Sequence, residues 1–156
     1  MDRYVATSFK NMNKAILFGE EILKELPEVI TKDEIQLYFL FRGSDCTNCI
    51  TETWEMLEGL IKNNYLEYKQ INYYYYTDDL IDIETLINKN NINISKRDVI
   101  EFNYESILLD TDITISPILI ISYSGVIVDA YQPEPSNLVT RDAFWKKWRF
   151  ILANQK

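Results

Sequence analysis

Two cysteines separated by two residues, Cys46 and Cys49, are the side chains whose type and spacing most directly offer chemistry. They are the only cysteines in the chain, and they follow a nearly continuous apolar run at 35–41 and the short polar segment 42–45. An amphipathic helical pattern begins immediately after them. A strand that delivers a Cys-x-x-Cys pair to the start of a helix is suited to reversible thiol–disulfide exchange.

The two sulfurs are expected to have different roles. Cys46 is predicted at the exposed N-cap of the helix, where unpaired backbone N–H groups and the positive end of the helix dipole stabilise a thiolate. Cys49 lies three residues on, and side chains at that spacing are about 5–6 Å apart, within the reach of a disulfide. Cys46 would therefore attack a substrate disulfide and Cys49 would resolve the mixed disulfide. Arg42 would stabilise the thiolate and Asp45 would oppose it, with the balance left open.

Composition excludes several other kinds of chemistry. The 156 residues carry 16 Lys and Arg against 24 Asp and Glu, a formal net charge of −8, so no nucleic-acid partner is expected. The chain has no histidine, which removes the usual general base and the usual zinc ligand. It has only four glycines, too few for the glycine-rich loops that cradle phosphates. No cofactor is predicted.

The N-terminal segment lacks the apolar run of a signal peptide, and no segment approaches the ~20 apolar residues of a membrane span. We therefore expect a cytoplasmic protein. In that compartment an isolated cysteine pair is more often catalytic or metal-binding than a structural disulfide.

Hydrophobic spacing predicts an alternation of helices and strands in the first half of the chain. A first helix is expected over 8–26, a buried strand over 35–41, a helix from the cysteines to about residue 62, and a strand over 66–74. Two further helices are predicted within 78–110. The second of these is capped by Ser95, with Val99, Ile100, Phe102 and Ile107 turned inward.

The second half contains the clearest local signal, a hairpin. Two apolar runs, 118–123 and 126–131, flank Ser124-Gly125, a dipeptide suited to a two-residue turn. A final helix, capped by Thr140, is expected to follow. Of the three tryptophans, Trp54 is predicted to belong to the core, and Trp145 and Trp148 either to the core or to partly exposed packing on the last helix.

This order of elements resembles the thioredoxin fold: strand, Cys-x-x-Cys, helix, strand, helices, Ser-Pro before a hairpin, and a terminal helix. The resemblance covers about residues 8–152 and implies an α/β protein whose central mixed four-stranded sheet (βαβ plus ββα) is flanked by helices. It also implies a single domain over 1–156, with 1–30 as an N-terminal helical extension and an extended helical connection before a cis proline. Within the superfamily, the chain is most similar to the thioredoxin-like bacteriocin transport accessory proteins, through its N-terminal helix, segment 42–49 and region 78–110.

The resemblance also implies a site. Pro117 takes the place of the cis proline beside the dithiol, and Ser116 precedes it. These two residues, together with Asp45 and Thr47, would form the substrate-binding side, where an extended segment of a protein substrate or redox partner can pair with the backbone. A role in bacteriocin export or immunity is implied in the same way.

Three departures from the thioredoxin pattern concern the site. Asp45 stands where thioredoxins usually have Trp, and Thr47-Asn48 replace Gly-Pro between the cysteines. Leu40 occupies the position, six residues before the first cysteine, of a buried Asp that accepts a proton from the second cysteine. Rapid general disulfide reduction is therefore in question.

Two alternatives to an enzyme stay open. The pair could be inert in a non-catalytic binding module of the same fold, because fold does not dictate function. Alternatively, the cysteines could form half of a structural zinc site, which would need carboxylates or a second chain to supply its other ligands.

Overall fold

The computed structural model describes residues 30–42, 45–76, 88, 99–102, 117–133 and 138–154. The helices and strands within these ranges are β1 (Ile35–Arg42), α1 (Thr47–Lys62), β2 (Ile71–Tyr76), β3 (Val99–Phe102), β4 (Ile118–Tyr123), β5 (Val126–Tyr131) and α2 (Leu138–Ala153). Two predicted elements lie outside the described residues. One is the helix over 8–26, together with residues 1–29 of the predicted extension 1–30. The other is the first helix predicted within 78–110, of which only Asn88 is described.

The strands form one mixed sheet in the order β3-β2-β1-β4-β5. β2 is parallel to both β1 and β3, whereas β4 is antiparallel to both β1 and β5. β1, α1 and β2 make the βαβ half, and β4, β5 and α2 make the ββα half. The predicted thioredoxin fold is confirmed: its four strands have the expected neighbours and directions, and β3 extends the sheet by a fifth.

β3 is also where the sequence-based prediction is wrong. The helix expected after Ser95 placed Val99, Ile100 and Phe102 on its inner side, yet these residues form a strand. They pair in parallel with β2, in a register that runs from Tyr73↔Val99 to Tyr76↔Phe102. Branched and aromatic side chains favour strands, and the open edge of β2 supplies hydrogen-bonding partners that helical spacing does not reveal.

Two element boundaries differ from the prediction. β2 begins at Ile71 rather than Leu66, because a 3-10 turn at Tyr68–Gln70 comes first. The capping box that Gln70 closes with Glu67 stabilises this turn. The last helix begins at Leu138, so Thr140 lies inside the helix rather than at its cap.

The predicted hairpin is confirmed, and its turn has a simple physical basis. Ser124 and Gly125 both have positive φ angles, 49° and 79°, as a type I′ turn requires. The pairing of β4 with β5 contains a bulge, at the step between Ile121 and Ser122 of β4. The hairpin sets β4 against β1, so that Leu40 pairs with Ile118.

The main core lies on one face of the sheet, beneath both helices. Trp54 of α1 stacks on Tyr73 of β2 with ring centroids 4.3 Å apart. Trp145 and Trp148 of α2 are buried in the same cluster, so the core prediction for Trp54 is confirmed and, of the two alternatives for the other tryptophans, the core is the correct one. The apolar side chains of the opposite face that are buried as well are Leu40, Tyr74, Ile118 and Ile120. None of the described helices is long and apolar enough to cross a membrane.

Candidate active site

The site begins with two hydrogen bonds between the last residue of β1 and the residue that precedes Cys46. The backbone N–H of Arg42 donates a hydrogen bond to the carboxylate of Asp45 at 2.5 Å. The N–H of Asp45 donates in return to the carbonyl of Arg42 at 3.2 Å. Both residues are partly buried. The Asp45 carboxylate therefore helps to hold the end of β1 next to the start of α1, a structural contact that the sequence did not indicate.

Cys46 is the N-cap of α1, where the sequence placed it. Its Sγ accepts a hydrogen bond from the backbone N–H of Cys49 at 3.3 Å, and its carbonyl accepts the first helical hydrogen bond from Ile50 at 3.1 Å. The side chain is partly exposed, and the thiol is free. Cys46 is therefore a sulfur that a substrate can reach at the N terminus of a helix.

Cys49 is in a different environment. It is free but only 3% exposed. The pKa of its thiol is raised to about 12, first by burial and then by the hydrogen bond that this thiol donates to Cys46 and by the negative charges of Cys46 and Glu52. Cys49 therefore holds its proton at neutral pH. The pair combines one accessible sulfur at a helix start with one buried, protonated thiol a single turn away.

A cavity of about 260 Å³ borders Cys49 on the side of the two helices. Its lining residues come from α1, from α2 and from the end of β5, and they are Cys49, Glu52, Thr53, Glu55, Met56, Tyr131, Pro133, Arg141 and Trp145. Cys46 is not among them. The resolving sulfur alone therefore faces this space.

The cavity contains a fixed pair of opposite charges. Arg141 of α2 binds Glu52 of α1, with Nη1 3.0 Å from Oε2, and its Nε lies 3.3 Å from Oδ1 of Asp142. Burial raises the pKa of the neighbouring Tyr131 hydroxyl to about 12, so this tyrosine is neutral at physiological pH. Sequence analysis missed these residues. Glu52 could have been noticed, because three residues after Cys49 is the same side of a helix, but no local pattern connects it with Arg141, 89 positions later.

Three of the four predicted substrate-side residues are described by the structure: Asp45, whose contacts are given above, Pro117 and Thr47. Pro117 is buried and immediately precedes β4, and the pairing of Leu40 with Ile118 puts it at the end of β1 from which the chain continues to Cys46. Thr47 is exposed as the first residue of α1. Ser116 lies outside the described residues. The register thus brings Pro117 to the correct end of the sheet, and the direct contacts of these residues with substrate stay predictions.

The described residues offer little support for a metal centre. Within those ranges no group of three or more His, Cys, Asp or Glu side chains is placed to hold an ion. The two cysteines with Glu52 do not form such a group. A zinc site shared with a second chain would leave the buried position of Cys49 unexplained.

The fold and the dithiol together define a thioredoxin-fold protein with a Cys-x-x-Cys site at the start of α1. No protein-family model and no curated protein matches the chain. Among solved structures it is similar to a secreted Mycobacterium tuberculosis disulfide oxidoreductase homologous to E. coli DsbE, at 8% identity over 74% of this chain and 81% of that chain, with a TM-score of 0.49.

The chain is also similar to two further solved structures. A thioredoxin-like protein from Porphyromonas gingivalis is 12% identical over 87% of this chain and 97% of that chain, with a TM-score of 0.48. A domain of a possible thiol-disulfide isomerase from Cytophaga hutchinsonii is 16% identical over 82% and 84% of the two chains, with a TM-score of 0.41. Likenesses this distant do not transfer an activity. The fold assignment rests on the strand order above, and the functional argument rests on the site.

Proposed function

We propose that this chain is a thiol–disulfide oxidoreductase that acts on protein thiols and disulfides through Cys46 and Cys49. The observation that carries the proposal is the asymmetry of the pair. Cys46 is a partly exposed helix N-cap whose sulfur accepts the Cys49 N–H, whereas Cys49 is buried and protonated one turn later. A nucleophile that meets the substrate and a second thiol that only its neighbour can reach are the two parts that the reaction needs.

The chemistry follows from those two positions. The Cys46 thiolate attacks one sulfur of a substrate disulfide, forms a mixed disulfide and releases the other sulfur as a thiolate. Cys49 then loses its proton and attacks Sγ of Cys46, which releases the second substrate sulfur. The substrate disulfide gains two electrons and two protons and becomes two thiols, and the enzyme dithiol becomes the Cys46–Cys49 disulfide. The reverse sequence oxidises a substrate dithiol.

The surface around Cys46 supplies the substrate side of the proposal. Thr47 is exposed beside Cys46, and Pro117 lies at the neighbouring end of β4. We assign substrate binding to Thr47 and Pro117, with Ser116 and Asp45, and an electrostatic influence on the Cys46 thiolate to Arg42. An extended substrate segment paired with backbone next to Pro117 would bring its sulfur to Cys46.

The biological setting is a separate proposal that only the sequence resemblance supports. Segment 42–49 is similar to that of bacteriocin transport accessory proteins, and on that basis we propose a role in bacteriocin export or immunity. A cytoplasmic location likewise stays a prediction, based on the composition and the reading of the cysteine pair. The site chemistry does not depend on either.

An insulin-reduction assay with dithiothreitol as electron donor tests the proposed activity. We expect turnover with the wild-type chain and loss of turnover to the uncatalysed rate in Cys46→Ser, which keeps a hydroxyl cap on α1. Thr51→Ser, a conservative change further along α1 whose hydroxyl can keep the hydrogen bond to the Thr47 carbonyl, is the matched control and should stay active. A wild-type chain that adds nothing to the rate of dithiothreitol alone would contradict this function and favour a non-catalytic binding module.

A further inference from the structure

We propose that Glu52, held by Arg141, accepts the proton that Cys49 must release when it resolves the mixed disulfide. This inference rests on the proposed oxidoreductase function and adds a proton-transfer residue to it. The acceptor would come from α1 itself and from the cavity that α1 shares with α2. Leu40, at the position where thioredoxins place an acid, has no ionisable group to offer.

The need for an acceptor follows from the environment of Cys49. The attacking form of a thiol is the thiolate, yet Cys49 is 3% exposed and has a pKa raised to about 12. In the mixed disulfide Cys46 no longer carries a charge, but burial, the largest cause of the raised pKa of Cys49, persists, so the Cys49 thiolate is scarce at neutral pH. A base that takes the proton as the sulfur attacks removes the requirement for that rare species.

The geometry selects Glu52 among the cavity residues. Glu52 lies three residues after Cys49 on α1, a spacing that puts both side chains on one side of the helix, and both border the same cavity. Its negative charge acts on the Cys49 thiol directly enough to raise the pKa of that thiol. Tyr131 is a neutral phenol there, and Arg141 is a cation, so neither can take a proton at neutral pH.

Arg141 gives the carboxylate a defined position. Its Nη1 lies 3.0 Å from Oε2 of Glu52, which links α2 to α1 at two residues that border the cavity. The contact leaves the other carboxylate oxygen, Oε1, as the atom that would take the proton. The cavity, at about 260 Å³, has room for a water molecule between Glu52 and the sulfur, so the transfer can be direct or through one water.

The resolving step transfers one proton and exchanges one sulfur–sulfur bond for another. The S–H bond of Cys49 breaks and its proton goes to a Glu52 carboxylate oxygen. The Cys49 sulfur then forms a bond to Sγ of Cys46, and the bond between Sγ of Cys46 and the substrate sulfur breaks. The substrate leaves as a thiolate, and Glu52 returns the proton to solvent or to that leaving thiolate.

The test separates the two chemical steps with dithiobis(nitrobenzoate), whose coloured thiolate product is released once by attack and once by resolution. With reduced wild-type chain we expect two equivalents in two phases. Glu52→Gln should leave the first phase within about twofold and slow the second by at least about tenfold near neutral pH. The difference in second-phase rate between wild type and Glu52→Gln should become smaller as pH rises, because hydroxide replaces the lost acceptor. Glu52→Asp should recover part of the second-phase rate.

Glu55→Gln is the matched control. Glu55 borders the same cavity one turn beyond Glu52, so its amide variant carries the same change of charge and should resolve at the wild-type rate. The sign of the effect discriminates between the two roles that Glu52 can have. If Glu52 acted only as a negative charge, its removal would lower the pKa of Cys49 and make the second phase faster.

A second phase in Glu52→Gln that is unchanged or faster at all pH values would overturn the proton-acceptor role. The proposed function would still hold in that case, since wild-type chain would release both equivalents. Failure of the function looks different: wild-type chain would release a single equivalent and form no Cys46–Cys49 disulfide.

Discussion

The backbone N–H of Cys49 donates a hydrogen bond to Sγ of Cys46 at 3.3 Å, so the resolving residue helps to hold the sulfur that it later attacks. The same contact makes Cys46 the cap of α1. The nucleophile is thus part of the helix start rather than a side chain placed next to it. Stability and reactivity at this position are therefore linked.

The first prediction concerns this cap. Cys46→Ala removes the acceptor for the Cys49 N–H and should lower the free energy of unfolding by about 0.5–2 kcal/mol relative to Cys46→Ser, whose hydroxyl is a better N-cap than sulfur. Urea denaturation of both reduced variants measures the difference. Equal stabilities would show that position 46 does not act as the cap of α1.

A second prediction concerns selective alkylation. Because the pKa of Cys49 is raised to about 12 and its side chain is buried, iodoacetamide at neutral pH should modify Cys46 and leave Cys49 intact. Peptide mass spectrometry identifies the modified residue. Unfolding the chain in urea before alkylation should make both cysteines react, which controls for the reagent. Modification of Cys49 first in the folded protein would contradict the assigned order.

The third prediction concerns stability at alkaline pH. The thiol of Cys49 has a pKa raised from an ordinary value of 9.0 to about 12 by folding, so the unfolded chain releases this proton first. The stabilisation that the folded state gains from this thiol is fully present below about pH 9 and is lost as pH rises towards about pH 12. Reduced wild-type chain should therefore lose stability over that window faster than Cys49→Ala. The tyrosines titrate in both proteins and cancel in the comparison. Parallel curves would exclude the raised pKa.

A fourth prediction compares two equally buried tryptophans. Trp148 Nε1 donates a hydrogen bond to the buried carboxylate of Asp129 at 2.7 Å, whereas the indole N–H of Trp54 has no hydrogen-bond partner among the described residues. Trp148→Phe leaves Asp129 without one of its hydrogen-bond donors. It should therefore lower the free energy of unfolding by about 1–3 kcal/mol more than Trp54→Phe does. Lys147 also binds Asp129, at 2.7 Å, and would remain in place. Equal losses in urea denaturation would contradict this role for Asp129.

The sequence predicted the parts of the structure that local patterns encode. Ser124-Gly125 between two apolar runs determined the hairpin, and the spacing of Trp54 and its neighbours determined the buried side of α1. The position of Cys46 at a helix start followed from the polar break after β1. Each of these depends on residues close together in the chain.

Features that depend on distant residues could not be predicted in this way. Val99–Phe102 were expected in a helix because their apolar spacing fits one, and only the edge of β2 makes them a strand. The pairing of Glu52 with Arg141 depends on how α2 packs beside α1, which no local pattern records. The sequence therefore revealed the dithiol but not the charged cavity behind it.

The most direct test of the central claim is a redox titration of the reduced chain against defined ratios of reduced and oxidised glutathione, with the products resolved by mass spectrometry. We predict one two-electron transition to an intramolecular Cys46–Cys49 disulfide, with a midpoint between about −120 and −270 mV, the range of known dithiol oxidoreductases. A chain that forms no intramolecular disulfide at any ratio, and carries only glutathione adducts or none, would contradict the claim.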